Sequence, residues 1–454
     1  MRKLRIQMHS GRKFEGQKSP FFGINLMEFL HWIHLIWGIA VALVAIGLIT
    51  RQVHGYTPSQ DFGDYVFRPE MEFDLNLFPS LVLDNDVDSL KILQLADPQL
   101  KLGYMPHRDR KTLKLIRRAI QTERPDLCVV TGDLVYSVFT YDAIRHFAKF
   151  MQKLGVKWAY VFGNHDARSG CSKYTIAELL KKYDNCLFAV GPSNIDGKGN
   201  YLLNVYKGEK AQENLVYSLV LMDSGAYATR DGKRNKNQYD CIRQSQIEWY
   251  NWAVSGLRKV NPHVQSSMFF HIPTKEFANL YYLRELELGH QVAEEVQQQL
   301  PRVKIENVTG TVCENVKNKR TLVEGDDGYT VGVYYQGREE SNADGIFARV
   351  KNLECTKAIF CAHDHANTLK GYYDGVYLGY GLCCGYHTYP YFNKFPQSNV
   401  VLNGALWVDE RGCRMSKGVT VIKISLEDNY GALEVVDVQA SEINENVKRS
   451  KRTT

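Results

Sequence analysis

LCVVTGDLVYSVFTYDAIRHFAKFMQKLGVKWAYVFGNHD, residues 127–166, holds a strand, a helix and a second strand in forty residues. LCVVT (127–131) is an apolar run of strand length that stops at Gly132-Asp133. Such runs suit strands covered on both faces. Ile144, Phe147, Ala148, Met151 and Leu154 then share one helical face, which predicts a helix over 141–155 with Gly155 as its stop. WAYVF (158–162) is a second buried strand and runs into Gly163-Asn164-His165-Asp166. Upstream, KILQLA (91–96) is a strand that ends at Asp97-Pro98-Gln99, and Leu113, Ile116 and Ile120 predict a helix over 110–122. Strand, helix, strand, helix, strand is the order of parallel βαβ units, so the fold class is α/β. Ligands of such sheets bind beyond the carboxyl ends of the strands. Each of these three strands ends there in a residue able to hold a metal.

The second half continues the pattern. LVYSLVLMDSG (215–225) reads as a strand with a polar exit, and 245–254 as a helix. SMFFHIP (267–273) runs into His271, and KAIFCAHDH (357–365) runs into His363 and His365. GVYLGYGLCC (375–384) reads as a Gly-rich strand pair. Residues 314–345 are polar and turn-rich, which suits a surface insertion, and KRSKRTT closes the chain as a solvated tail. A GD or GN dipeptide alone is commonly a turn. Five such groups in succession, each after an apolar strand, are not explained by turns.

Composition narrows the function classes. In 454 residues, 44% are apolar and 23% charged, which excludes a disordered or collagen-like chain. Ten cysteines are too sparse for a small disulfide scaffold. The net charge is +6, but residues 1–27 carry +5 and 441–454 carry +2, which leaves the body at −1. Bulk charge therefore gives no case for nucleic-acid binding.

FLHWIHLIWGIAVALVAIGLI (29–49) has no charged residue, and its 21 residues match the ~20 that span a bilayer as a helix. Arg2, Lys3, Arg5, Arg12, Lys13 and Lys18 precede it, and mostly acids follow Arg51. That asymmetry predicts a cytosolic tail (1–28), an uncleaved signal anchor (29–50) and a body across the membrane, lumenal or extracellular. A cleaved signal has a shorter apolar core and a small-residue cleavage site, neither of which is present; a buried helix is the other alternative. Residues 51–88 read as a polar stalk. In that compartment the cysteines could pair, with no pairing set by spacing, and Asn307-Val308-Thr309 is a candidate glycosylation site.

In order, Asp97-Pro98-Gln99, Gly132-Asp133, Gly163-Asn164-His165-Asp166, His271 and His363-Asp364-His365 resemble the motif series of the calcineurin-like metallophosphoesterases, which include the purple acid phosphatases. That series is D-x-H, GD, GNH-D/E, H and G-H-x-H. The likeness spans 89–428, with 429–454 as a C-terminal segment. The FFHIP and AIFCAHDHAN contexts are most similar to the small purple-acid-phosphatase-like branch. The resemblance implies a four-layer αββα sandwich of two mixed sheets, preceded here by the transmembrane helix. It also implies hydrolysis of phosphate mono- or diesters by a dinuclear centre with a metal-bound hydroxide nucleophile.

Carried residue by residue, the resemblance makes Asp133 the bridging carboxylate. Asp97 and His365 would hold one metal, and Asn164, His271 and His363 the other. Mixed N and O donors suit Fe, Zn or Mn better than Ca or Mg. His165 would protonate the leaving oxygen, and Asp166 would orient its ring. Gln99 stands where the family commonly has His. Its amide oxygen, or Tyr136 at the position of the purple acid phosphatases' iron-binding tyrosine, would complete the first site. Ala362 replaces the Gly of G-H-x-H, which strains the chain if φ there is positive. His387, in Gly385-Tyr386-His387, is a candidate substrate contact. These departures leave an alternative: a membrane-anchored, catalytically weak relative that acts as a phosphate-binding or interaction module.

Overall fold

The computed structural model describes residues 26–54, 62–167, 171–230, 233–292, 294–310, 329–330, 333–334, 345–388, 401–402, 405–406, 417–427 and 432–444. Within helix Leu26–His54 the side chains described are those of 29–42, 44 and 45, and the side chains of 228–230 and 233–238 are likewise not described. The chain divides into two units, 1–57 and 58–454.

The first unit contributes one element, the helix Leu26–His54. Its described side chains are all exposed, with Trp37 at 69% and Ile36 at 61%. Among the described residues no helix is long and apolar enough to cross a membrane. The continuous described run, 29–42, is shorter than the ~20 residues a bilayer needs. The basic tail 1–25 lies outside the described residues.

The second unit is built on two mixed sheets. Five strands lie in the order Leu433–Gln439, Gly418–Ser425, Ser89–Leu95, Leu127–Thr131 and Trp158–Val161, and the last three run parallel. Eight strands form the other sheet. Gln265–Phe269 and Thr356–Cys361 are parallel neighbours at its centre, flanked by Leu215–Leu221 and Val376–Tyr380. The expected α/β sandwich is present.

Alternation along the eight-stranded sheet explains the layers. Tyr201, Leu203 and Val205 join one core, which also holds Ile92, Val129 and the helices Pro106–Glu123 and Thr140–Leu154. Leu202 and Tyr206 face a second core, with the helices Gln244–Val260, Lys275–Glu287 and Ile346–Leu353. Successive strand residues point to opposite faces, so one sheet serves both cores. The five-stranded sheet packs on one face of the eight-stranded sheet, and helices cover both outer faces. Helix Thr140–Leu154 buries Ile144, Phe147, Ala148 and Met151 and stops at Gly155 with φ +68°, as the sequence predicted.

Three expected boundaries are corrected. Residues 62–88 are not a stalk. Ser80–Leu83 pairs in parallel with Tyr201–Lys207, the Asp64 carboxylate accepts from the backbone N–H of Val190 and Gly191, and Phe67, Phe73 and Phe78 pack on Trp252. The acids of this stretch hid aromatic anchors at spacing with no clear period. The domain does not end at 428 either, because Leu433–Gln439 is an edge strand of the five-stranded sheet. The strand pair assigned to 375–384 is instead Lys370–Tyr373 with Val376–Tyr380, turning at Asp374-Gly375. Most of the 314–345 insertion and the C-terminal tail from 445 lie outside the described residues. No disulfide joins two described cysteines.

Candidate metal centre

Five strands from the two sheets end at one place. Ser89–Leu95 leads to Asp97 and Gln99, Leu127–Thr131 to Asp133, and Trp158–Val161 to Asn164 and His165. Gln265–Phe269 leads to His271, and Thr356–Cys361 to His363 and His365. The two sheets are tied together at this end. The Gln94 amide donates to the Cys361 carbonyl (2.9 Å) and to Thr131 Oγ1 (3.1 Å). Close approach demands glycine at 132, where φ is +81° and a Cβ would lie 2.6 Å from His271 Nδ1. At Gly163 a Cβ would collide with the Asp133 backbone and carboxylate.

Four non-glycine residues of the cluster adopt positive φ: Asp97 (49°), Gln99 (43°), Asp133 (49°) and His363 (74°). Such conformations cost on the order of 1–3 kcal/mol each and persist where surrounding structure overrides them, commonly at functional sites. The strain expected at Ala362 is not there: Ala362 is not among the positive-φ residues, and the burden falls on His363. Alanine at 362 therefore carries no left-handed backbone strain.

Asp133 lies between two donor groups. On one side Gln99 Nε2 is 3.2 Å from Asp133 Oδ2 and 3.1 Å from His365 Nε2, and His365 Nε2 is 3.3 Å from Asp97 Oδ1. On the other, His271 Nε2 is 3.4 Å from Asp133 Oδ1 and 3.0 Å from Asn164 Oδ1. His363 Nδ1 completes that group, 3.1 Å from Asn164 Oδ1 and 3.3 Å from His271 Nε2. Donors ~2.0–2.2 Å from a shared ion stand roughly 2.8–3.6 Å from one another. The second group fits that spacing, as does the Asp97–His365 pair of the first, which Gln99 faces through its N–H.

The donor chemistry fits as well. His271 Nδ1 is 2.9 Å from the Thr131 carbonyl, which only accepts, so Nδ1 carries the hydrogen and Nε2 offers a lone pair. That lone pair faces the oxygens of Asn164 and Asp133 in a fully buried place. Acceptors converge in this way only around a cation or a proton. Without metal the proton serves: burial pulls the His271 pKa down, but the Asp133 carboxylate outweighs it and raises the value to about 9. Burial, then the neighbouring His271, holds His363 well below its ordinary value, so its ring is neutral. Burial acts against the Asp133 carboxylate, but the charges of His165 and His271 hold it well below the usual range.

The remaining expected residues fall differently. The His165 backbone N–H donates to Asp133 Oδ1 at 2.8 Å, and its ring Nε2 stands 3.6 Å from Oδ2, outside both donor groups. Asp166 does not orient that ring. Its oxygens accept from the backbone N–H of Val135 (3.0 Å) and Gly163 (2.8 Å), so it ties the GD loop to the GNH loop. Burial and the Asp133 charge raise its pKa to about 6. Tyr136 is 42% exposed, with its ring 4.4 Å from the His165 ring and the Lys101 ammonium 4.7 Å from its own centroid. Gln99 faces Asp133 and His365 through its amide nitrogen. His387 is buried, with Nε2 2.9 Å from Asp109 Oδ1. Asp364 holds its turn, taking hydrogen bonds from Tyr380 Oη and Asn367 Nδ2. Asn307 is exposed in the strand Ile305–Thr309 with φ 53°.

Two contacts were missed in the sequence. Tyr227 Oη accepts from Asn164 Nδ2 at 3.3 Å, and the Tyr239 ring stands edge-on to His363 at 4.4 Å. Both belong to the hairpin Tyr227–Arg230 with Lys233–Tyr239. Its sequence signal was two tyrosines bracketing a polar, Gly-containing turn, which has no fixed relation to the metal motifs.

Comparison with known proteins agrees with this geometry. The calcineurin-like phosphoesterase family profile matches residues 90–282, from before Asp97 to past His271. Two Arabidopsis thaliana proteins are similar over most of the chain. "Probable inactive purple acid phosphatase 28" is 26% identical over 346 residues, 70% of this chain and 75% of its own. "Probable inactive purple acid phosphatase 14" is 28% identical over 388 residues, 77% of this chain and 79% of its own. "Phosphatase DCR2" of Saccharomyces cerevisiae is 28% identical over 220 residues, 43% of this chain and 37% of its own.

Proposed function

Because the chain belongs to the calcineurin-like phosphoesterase family, we propose that it hydrolyses phosphate mono- or diesters at the strand-end cluster, on the lumenal or outer side of a membrane to which residues 29–50 anchor it. One observation carries the catalytic half: the Asp133 carboxylate stands between Asp97 and His365 on one side and Asn164, His271 and His363 on the other. A pair of transition metal ions there supplies an activated water and a clamp for the charge on phosphorus. Asp97, Gln99 and His365 would hold one ion, and Asn164, His271 and His363 the other, with Asp133 shared. His165 sits outside the donors with its ring nitrogen directed at the centre, which suits giving a proton to the leaving oxygen. Asp166 keeps the two loops in register.

Gln99 favours a second reading, a phosphate-binding relative with little turnover. Its Nε2 donates to Asp133 where the family commonly has an imidazole lone pair. One experiment separates the two. The purified chain should contain close to two transition metal ions and turn over a chromogenic phosphomonoester or diester. Gln99→His should preserve or raise metal affinity. A metal-free, inert wild type with a Gln99→His variant that gains turnover would favour the weak relative instead.

The described side chains of helix Leu26–His54, exposed and largely apolar, support the anchor, since water does not tolerate such a surface all round a helix. His34 Nδ1 lies 2.7 Å from the Leu30 carbonyl, which satisfies one polar group within the helix. The six basic residues before Phe29 set the orientation. Asn307, exposed on the second unit, would then carry a glycan. Protease added to sealed microsomes should spare residues 58–454 and trim at most the N-terminal tail. Digestion of the body in intact vesicles would overturn this orientation.

A further inference from the structure

The second donor group depends on which way one amide points. Asn164 offers a metal an oxygen in one orientation and an N–H in the other, and only the first can ligate. Asn164 Oδ1 lies 3.0 Å from His271 Nε2 and 3.1 Å from His363 Nδ1, so the ligating form turns the amide NH₂ away from both rings. The group that receives that NH₂ helps to hold the ligating form.

The hairpin Tyr227–Arg230 with Lys233–Tyr239 touches this group at both of its ends. It leaves the carboxyl end of Leu215–Leu221, a strand parallel to Gln265–Phe269, which delivers His271. It returns into helix Gln244–Val260. Its base is pinned: the Asp240 N–H donates to the Ala226 carbonyl, and Gly225 takes φ +75° where a Cβ would lie 2.6 Å from the Asp240 side chain. From this base Tyr227 Oη accepts the Asn164 Nδ2 hydrogen at 3.3 Å, which directs Oδ1 toward His271 and His363. At the other end the Tyr239 ring stands at 83° to the His363 ring, with centroids 4.4 Å apart, and fixes the plane of a ligand whose φ of 74° leaves it strained.

We propose that Tyr227 and Tyr239 are positioning residues that hold Asn164 and His363 in their metal-binding orientations, so that this hairpin sets the affinity of the second metal position. The proposal rests on the dinuclear reading. The two contacts differ in chemistry: Tyr227 acts through its hydroxyl and Tyr239 through its ring. Partners that orient a metal ligand in this way are worth ~10–100-fold in metal affinity.

The test is equilibrium dialysis of the full chain, stripped of metal, against Mn²⁺, with bound metal counted. The wild type should bind two ions. Tyr227→Phe should keep the first and weaken the second by ~10–100-fold, while metal-free thermal unfolding is unchanged. Tyr239→Phe should bind as the wild type does, and Tyr239→Ala should weaken the second ion. Wild-type binding by Tyr227→Phe would overturn the proposal, as would equal losses in Tyr239→Phe and Tyr239→Ala. Lower metal-free stability in Tyr227→Phe would reassign that residue to fold support and also overturn it. A wild type that binds no metal at all would remove the dinuclear reading itself, an outcome distinct from two-ion binding that ignores the hairpin.

Discussion

Asp133→Asn is expected to lower phosphoester turnover by ~10³-fold or more, the scale on which a preorganised charge-stabilising group acts. The carboxylate presents Oδ2 to the Gln99 and His365 side and Oδ1 to the His271 side. An amide keeps one oxygen and turns an NH₂ toward the other group, where it repels a cation. Bound metal should fall with activity. The fold should survive, because the side chain is isosteric and the βαβ core behind it is intact. Near-normal turnover in a folded Asp133→Asn variant would refute the bridging assignment.

His165→Ala is expected to separate proton transfer from metal binding. The link from this loop to Asp133 is the backbone N–H of His165, which alanine retains. Metal content should therefore stay at the wild-type level while turnover falls by ~10²–10⁴-fold. The loss should shrink for esters whose leaving group needs no proton, such as nitrophenolate. Equal losses for good and poor leaving groups would remove the general-acid role. Loss of metal would instead make His165 a ligand.

Short, local regularities made much of this legible. The period of the apolar residues marked the strands and helices around 91–162, and the observed ends differ from the expected ones by a few residues. Each strand is bounded by a sharp polar or glycine exit, so the donors at those exits could be read in order. Parts of the site were not legible for a different reason. Asp166 and His387 looked like functional groups beside functional groups, but their partners are the Val135 and Gly163 amides and Asp109, brought up by other loops. The edge strands Ser80–Leu83 and Leu433–Gln439 carry polar and exposed residues, and their pairing with distant strands makes them strands.

Sequence alone thus determined the α/β class, the βαβ rhythm and the identity of the metal-capable donors, because backbone periodicity and residue chemistry are local properties. Tertiary structure alone decided how those donors group on the two sides of Asp133, that strain falls on His363 and spares Ala362, and that Tyr227 and Tyr239 reach the second group. These are distances between residues as far apart in the chain as Asp97 and His365, and packing of the two sheets sets them.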